Sequence, residues 1–320
     1  MTANKGHTSS LQVLIDAKAD LEAEYHDGIT PLMLAAGSVD ALSTQLLVQA
    51  KARLESTDVR RSTPLISAVE YDRVECAQVL VDAKTDLQVK DENSDPPLSL
   101  AARLGHTKCV QLLVGAKTQL NAKNDMDISA LMVAAFTGHV ACVQALIDAK
   151  ADVDAKAPNG TNALIGACKQ NQPECARVPI AAKANLEDGL SESGNTALTF
   201  AVGMGDHTCV QLLIDARADV DAKDKTGASA VVIAAHKGHL ASLKLLVDAK
   251  ADLRVTTKDG VPVFALLTAA SQNYPECVAV LLEAKAENMK AYRGISALMV
   301  AAAKGNICMF ATSRECKSRS

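Results

Sequence analysis

The sequence predicts an all-α fold, an α-solenoid of stacked helix-turn-helix repeats joined by hairpin-like connectors. An Ala-Lys or Ala-Arg pair recurs at steps of 33 to 35 residues, and its basic member falls at Lys18, Lys51, Lys84, Lys117, Lys150, Lys183, Arg217, Lys250 and Lys285. A second marker, a Thr, Ser, Asn or Pro two residues before an apolar residue, keeps this period at Thr30, Thr63, Pro96, Ser129, Asn162, Thr196, Ser229, Pro262 and Ser296. Each period also holds two apolar segments with helical spacing, which stacked repeats can bury together.

The stretch from 128 to 156 shows the predicted elements of one repeat in order. Ser129 can cap a first helix, and Gly138 can end it in a left-handed turn. A second amphipathic segment follows, with an apolar face that a single repeat could not bury alone. The polar connector after it carries Asn159-Gly160, a turn signal. The predicted unit is therefore helix, tight turn, helix, connector.

The position of Gly138 repeats through the whole chain. Its members are Gly6, Val39, Asp72, Gly105, Gly138, Asn171, Gly205, Gly238, Asn273 and Gly305. Most of them are Gly or Asn, the residues that best tolerate a left-handed backbone. The pattern predicts the same turn between the two helices of each repeat.

These motifs resemble the ankyrin repeat. The chain has the 33-residue step, T-P-L at 30–32 and 63–65, A-A-x-x-G-H at 101–106, and A-D-V at 151–153. The resemblance covers nearly the whole chain. It implies a curved solenoid of antiparallel helix pairs, with connectors that project as fingers and a concave face used for protein binding.

The chain departs from the family pattern at two positions. The family usually has His after T-P-L, where this chain has Met33, Ile66, Ser99, Met132, Ile165, Thr199 and Val232, so the hydrogen bonds of that His are absent. The family usually has Gly after the second helix, where this chain has its Lys/Arg position. A cation near a helix C-terminus stabilises the fold by about 0.3 to 1 kcal/mol. A non-Gly residue with a left-handed backbone destabilises it by about 1 to 2 kcal/mol. These opposing terms leave the backbone geometry of that turn open.

The repeat register predicts the organisation of the chain. Residues 1–26 form a partial N-terminal repeat with only a second helix and a connector, and residues 27–293 form eight ankyrin-type repeats of about 33 residues. Residues 294–310 form a partial C-terminal repeat, and residues 311–320 are a predicted disordered tail. Neither terminal repeat has the polar cap that such arrays need for solubility. The chain is expected to be a monomer or to associate end to end through these uncapped repeats.

Two places interrupt the register. Pro179 falls inside a predicted second helix, where proline costs about 3 kcal/mol, and the connector at 186–194 is one residue longer than its counterparts. The joint near 173–195 is therefore predicted to be the weakest and the first site of limited proteolysis. The unit that begins at Pro262 has two extra residues before Cys277.

Cysteine spacing argues against a disulfide framework. Six cysteines share one repeat position with three serines, and the position holds Ser10, Ser43, Cys76, Cys109, Cys142, Cys175, Cys209, Ser242 and Cys277. Equivalent positions on stacked helices lie about 8 to 10 Å apart, beyond the limit of about 7 Å between bridged Cα atoms. They are predicted to be small, buried, free thiols in a reducing compartment.

Composition and charge exclude several classes of partner. The net charge is -4, and acidic residues flank the Lys/Arg position on both sides, so no nucleic-acid partner is expected. No window approaches the roughly 20 apolar residues needed to cross a bilayer, and the first ten residues lack the apolar run of a signal peptide. The sequence therefore predicts no membrane insertion and a cytoplasmic, intracellular location.

No chemistry of catalysis or cofactor binding is apparent. His7, His106, His139 and His239 share one repeat position, where they are too far apart to hold one metal ion, and a structural role is favoured. No nucleophile motif, phosphate loop or zinc motif occurs. The sequence predicts no enzyme, no cofactor and no metal site.

Partner-binding residues are predicted where the repeats differ from one another. The leading candidates follow the Ala-Ala pair of adjacent first helices, and they are Tyr71, Arg103, Leu104 and Phe136. These residue types occur at interface hot spots. Met204 occupies an equivalent position, and weaker candidates lie at the predicted connector tips, at Tyr25, Arg60, Arg61 and Met126.

The sequence leaves two functions open. The first is a non-enzymatic protein-interaction scaffold that uses the concave helical face and the connector fingers. The alternative is a regulatory or adaptor segment of a longer protein that carries an enzyme or a channel outside this chain.

Overall fold

The computed structural model of the chain describes residues 4–256, 262–284 and 297–303. Within these residues the fold is a series of helix pairs. The first helices of the pairs are α2 (Pro31–Gly37), α4 (Pro64–Glu70), α6 (Pro97–Leu104), α8 (Ala130–Thr137), α10 (Ala163–Lys169), α12 (Ala197–Met204), α14 (Ala230–Lys237), α16 (Ala265–Ser271) and α18 (Ala297–Ala303). The second helices are α1 (Asn4–Asp16), α3 (Ala41–Gln49), α5 (Val74–Asp82), α7 (Thr107–Gly115), α9 (Val140–Asp148), α11 (Pro173–Ala181), α13 (His207–Asp215), α15 (Leu240–Asp248) and α17 (Pro275–Glu283). The predicted helical solenoid architecture is confirmed.

Side-chain caps start most of the first helices. Ser129 accepts a hydrogen bond from the backbone N–H of Met132 at 3.5 Å, as its sequence position predicted. Asn162 caps α10 in the same way, with a bond of 2.9 Å from Ile165. Each bond satisfies one of the backbone donors that a helix start leaves without an intrahelical partner. Ser229 is an exception, because its buried hydroxyl has no hydrogen-bond partner.

The predicted left-handed turn follows most of the first helices. Positive φ angles occur at Asp72, Gly105, Gly138, Asn171, Gly205, Gly238 and Asn273, with values from 53° to 86°. Gly6 departs from this pattern because it lies inside α1, which begins earlier than the register predicted.

The turn after the second helix is left-handed too, which decides the geometry that the sequence left open. Positive φ angles of 59° to 72° occur at Lys18, Lys51, Lys84, Lys117, Lys150, Lys183, Arg217 and Lys250. After α9, the N–H of Lys150 bonds to the carbonyl of Ile147, and the N–H of Ala151 bonds to that of Leu146. This pair of bonds satisfies carbonyls at the helix end and requires a left-handed residue between them.

The helix pairs form two compact units, Met1–Ala157 and Pro158–Ser320. Within each unit, every first helix packs against the first helix of the next repeat, and the second helices form a parallel row of contacts. The core lies between these two rows. Its largest fully buried side chains include one leucine from most second helices, at Leu47, Leu80, Leu113, Leu146 and Leu213.

A short β-hairpin replaces part of one connector. β1 (Arg254–Thr256) pairs with β2 (Pro262–Phe264) in antiparallel register, with Val255 opposite Val263. Pro262, a repeat marker in the sequence, therefore begins a strand, and the first helix of this unit begins at Ala265. The connector between Asp248 and Ala265 has 16 residues, against 14 between Asp215 and Ala230. The two extra residues of this unit thus lie before α16.

Pro179 lies inside α11, as predicted, and its side chain is buried. Among the described residues, no helix is both long and apolar enough to cross a membrane. The predicted tail at 311–320, and all but residues 297–303 of the predicted repeat at 294–310, lie outside the described residues.

Candidate protein-interaction surface

Three exposed apolar side chains mark the C-terminal ends of consecutive first helices in the first unit. Tyr71 follows α4 and is 51% exposed, Leu104 ends α6 and is 38% exposed, and Phe136 lies near the end of α8 and is 44% exposed. The ring of Tyr71 lies over Gly37, where an added Cβ would approach Tyr71 Cδ2 to 3.2 Å. We call Tyr71, Leu104 and Phe136 the variable row, because their repeat positions hold different residues elsewhere.

Arg103 is committed to a buried network. Its Nε donates to Oδ2 of Asp95 at 2.9 Å, and its Nη2 lies 3.7 Å from Oδ2 of Asp91. The other oxygen of Asp95 accepts from the amide of Asn124 in the next connector at 3.0 Å. Both aspartates are buried. A buried carboxylate needs compensating charge or hydrogen bonds. Arg103 therefore stabilises the fold, in addition to any contact that it makes with a partner protein.

Aspartate and asparagine side chains fix the backbone at the connector tips through hydrogen bonds. Oδ1 of Asp58 accepts from the N–H groups of Arg60 at 2.9 Å and Ser62 at 2.7 Å. Asp91, Asn124 and Asp224 make the same pair of bonds in their own connectors. Such side-chain turns fix the backbone locally. The recurrence of Asp58, Asp91 and Asn124 at 33-residue steps is the sequence signal that could have identified them.

A cavity of about 130 Å³ joins α4, α6 and their connectors. Its lining brings together three predicted binding residues with three carboxylates, and it includes Arg60, Arg103, Leu104, Glu70, Asp91 and Glu92. Arg60 Nη1 lies 3.8 Å from Glu70 Oε1, and Glu70 is the main reason why the pKa of Arg60 lies above its usual value. Sequence reasoning missed the carboxylates, which give this part of the surface an acidic balance.

The remaining candidates lie apart from the variable row. Tyr25 is 64% exposed. The centroid of its ring lies 4.6 Å from that of the neighbouring His26, in an edge-to-face arrangement. Met126 is 65% exposed on the turn that Asn124 holds, and Arg61 is exposed with φ of 60°. Met204 ends α12 in the second unit and is 57% exposed.

The cysteines and histidines at repeated positions contribute to the packing and hydrogen bonding of the repeats. The described cysteines are buried, and burial raises the pKa of the Cys109 thiol to about 12. His139 Nε2 lies 3.0 Å from the carbonyl oxygen of Arg103, and His239 Nδ1 lies 2.7 Å from that of Val202. These contacts join neighbouring repeats, which confirms the structural role predicted for the two histidines. No group of three potential metal ligands occurs within the part of the chain that the structure describes.

The helix pairs repeat every 33 residues and are joined by hairpin-like turns, and each pair packs against the next. This arrangement defines a helical-repeat interaction module. A sequence model of ankyrin repeats matches residues 1–91, 98–188, 164–259 and 231–312. The chain belongs to the ankyrin repeat family. Ankyrin repeats generally mediate protein–protein interactions.

Solved ankyrin repeat domains share the fold. The ankyrin repeat domain of Bcl-3, described as a unique member of the IkappaB protein family, aligns with a TM-score of 0.61 and 23% identity, over 80% of this chain and 100% of that chain. The human ASB11 ankyrin repeat domain aligns with a TM-score of 0.61 and 21% identity, over 70% of this chain and 99% of that chain. A search of curated protein sequences gave no match.

Proposed function

We propose that this chain is a non-enzymatic scaffold that binds a partner protein through its first helices and connector tips, with the variable row at the centre of the contact. The exposure of the row carries the proposal. Tyr71, Leu104 and Phe136 are large apolar side chains at the C-terminal ends of three consecutive first helices, yet each exposes at least a third of its surface. Aromatic residues at a desolvated centre account for a large share of the binding energy at protein interfaces.

The acidic cavity next to the row adds polar specificity. Leu104 belongs to the variable row and also lines the cavity. A partner segment that binds to the row would therefore lie beside Glu70 and Glu92. Charges at the rim of an interface set its orientation and association rate more than its affinity. The partner is therefore expected to combine an apolar anchor with basic groups.

The test compares capture of partner proteins by two triple variants. The full chain is crosslinked in a lysate of cells that express it, and the bound proteins are quantified by mass spectrometry. Replacing Tyr71, Leu104 and Phe136 together by Ala is expected to reduce capture of the partner at least about tenfold, because truncation at a hot spot costs more than about 1.4 kcal/mol. Arg103 stays unchanged, since its removal would disturb the buried carboxylates.

A matched control removes comparable apolar surface elsewhere in the same unit. Leu42, Val13 and Val140 are 50%, 66% and 37% exposed and lie on second helices, outside the row and the connector tips. The variant with Ala at these three positions is expected to capture the partner as the unmodified chain does. A partner that is retained equally by both triple variants would exclude the row as its binding site.

A further inference from the structure

The connector tip before α10 is built differently from its counterparts. The repeat position at which Asp91 holds its own tip is Ala157 here. The exposed Asn159 supplies the side-chain turn instead, and its Oδ1 accepts a hydrogen bond of 3.0 Å from the backbone N–H of Thr161. The residue between them is Gly160, so this tip contains the only Asn-Gly pair of the sequence.

Gly160 is the residue that this tip requires. Its φ is 86°, and an added Cβ would approach the backbone oxygen of Gly189 to 2.7 Å and the backbone nitrogen of Ser191 to 2.9 Å. Other tips accept Arg61 and Ser94 at the same repeat position with positive φ. The close approach of the two backbones therefore demands glycine here. The fold thus places after an exposed asparagine the one residue whose backbone nitrogen no side chain shields.

The amide of Asn159 is arranged for attack by the backbone nitrogen of Gly160. The hydrogen bond from Thr161 closes a ring of atoms that contains both Cγ of Asn159 and N of Gly160, so it keeps the side chain folded back over that nitrogen. Within the described residues, neither the Gly160 N–H nor Nδ2 of Asn159 has a hydrogen-bond partner. The N–H of Thr161 also meets the oxygen at which negative charge would develop during attack, which stabilises the transition state.

Two other asparagines of the described residues lack this arrangement. Asn124 accepts a similar bond from the N–H two residues later, but its Nδ2 donates to Asp95 at 3.0 Å and the residue after it is Asp125. Asn162 is 1% exposed, and its Nδ2 donates to Asp188 at 3.3 Å. Both amides are held in hydrogen bonds and are followed by a residue with a side chain.

We propose that Asn159 is a site of spontaneous deamidation, in keeping with the thermal lability of asparagine. The nitrogen of Gly160 gives its proton to solvent and bonds to Cγ of Asn159, the Cγ–Nδ2 bond breaks, and the amide nitrogen takes up a proton and leaves as ammonia. Water then opens the cyclic imide at either of its carbonyl carbons. Opening at Cγ gives aspartate, and opening at the backbone carbonyl gives isoaspartate, whose main chain runs through Cβ and Cγ.

The two products differ in their effect on the neighbouring connector. The backbone carbonyl of Asn159 accepts from the N–H of Ser191 at 2.8 Å, and that of Pro158 accepts from the Ser191 hydroxyl at 3.1 Å. Aspartate keeps both carbonyls and an oxygen for Thr161. Isoaspartate takes the carbonyl of residue 159 out of the main chain and lengthens the tip where the backbones are already in close contact. Formation of isoaspartate is therefore expected to loosen the connector at 186–194.

Ageing of the full chain tests the site. The protein is kept folded in mildly alkaline buffer at physiological temperature, and peptide mapping by mass spectrometry follows the conversion of amide to carboxyl at each asparagine. Asn159 is expected to convert almost completely while Asn124 and Asn162 keep their amides, and an isoaspartyl methyltransferase should label the product. Conversion at Asn159 that is no faster than at Asn124, or a product that contains no isoaspartate, would overturn the proposal.

Two variants separate the new charge from the new backbone. Freshly purified Asn159→Asp carries the charge on a normal main chain, so proteolysis within 186–194 should proceed as in the fresh unmodified chain. Asn159→Ser has no amide to lose and keeps an oxygen that can accept from Thr161, so ageing should leave its proteolysis unchanged. The aged unmodified chain should be cut faster in this connector than either variant. Equal cleavage of the aged chain and fresh Asn159→Asp would overturn the predicted loosening.

Discussion

At the scale of single residues, the Lys/Arg turn shows which of two opposing effects dominates. The left-handed backbone costs about 1 to 2 kcal/mol for a residue with a Cβ, yet each described member of the position adopts it. Two backbone hydrogen bonds at the helix end, such as those from Lys150 and Ala151, require that geometry. The side chains are exposed, so the cation interacts with the helix C-terminus through solvent and offsets only part of the cost.

Lys150→Gly should therefore stabilise the chain. Glycine relieves the left-handed strain of about 1 to 2 kcal/mol, and loss of the cation removes about 0.3 to 1 kcal/mol. The expected net gain is about 1 kcal/mol in the free energy of unfolding, measured by urea denaturation. Lys150→Ala is the matched control, because it removes the charge but keeps the strain and should destabilise slightly. Equal effects of the two substitutions would show that the strain is not the dominant cost.

At the scale of elements, the period of the sequence predicted the helix pairs because each unit repeats the same apolar positions and capping residues. Hairpin-like connectors were predicted as well, but the sequence did not show that two extra residues delay the start of α16, so that Pro262, which keeps the 33-residue step, lies in a strand of the hairpin. The cavity beside Arg103 was also missed. Its carboxylates come from the end of α4 and from the connector before α6, and only the stacking brings Glu70 and Asp91 to one place. Exposure of the variable row could be inferred from residue variation, whereas the ion pairing of Arg103 could not.

Pro179→Leu should strengthen the weakest predicted joint. Pro179 occupies the position of the buried leucines such as Leu146, and it lacks the N–H that would bond to the carbonyl of Cys175. Proline inside a helix costs about 3 kcal/mol, so the substitution is expected to raise the unfolding free energy by about that amount. It should also slow proteolysis between 173 and 195, followed by mass spectrometry of the fragments.

Pro173→Ala provides the comparison within the same helix. Pro173 stands at the first turn of α11, where proline is well tolerated, so its replacement should change little. First cleavage outside 173–195 in the unmodified chain would contradict the assignment of this joint as the weakest.

At the scale of the whole molecule, stability is built from neighbouring repeats. Side-chain hydrogen bonds between described repeats join residues 26 to 41 positions apart, as in Asn162 with Asp188 and Cys76 with Ala35. Each repeat is thus held by the repeats next to it, and the total stability is approximately a sum of repeat and junction terms.

The fragment 1–157, which coincides with the first compact unit, should consequently fold without the rest of the chain. The printed junctions among α1 to α9 lie within this fragment, so its circular dichroism per residue should match that expected from these helices, and urea should unfold it cooperatively. A fragment that ends at residue 143, inside α9, is the control; it removes Leu146 from the core and should unfold at a lower urea concentration. If 1–157 were unfolded while the full chain is stable, stability would not be local, and the additive description of this array would be wrong.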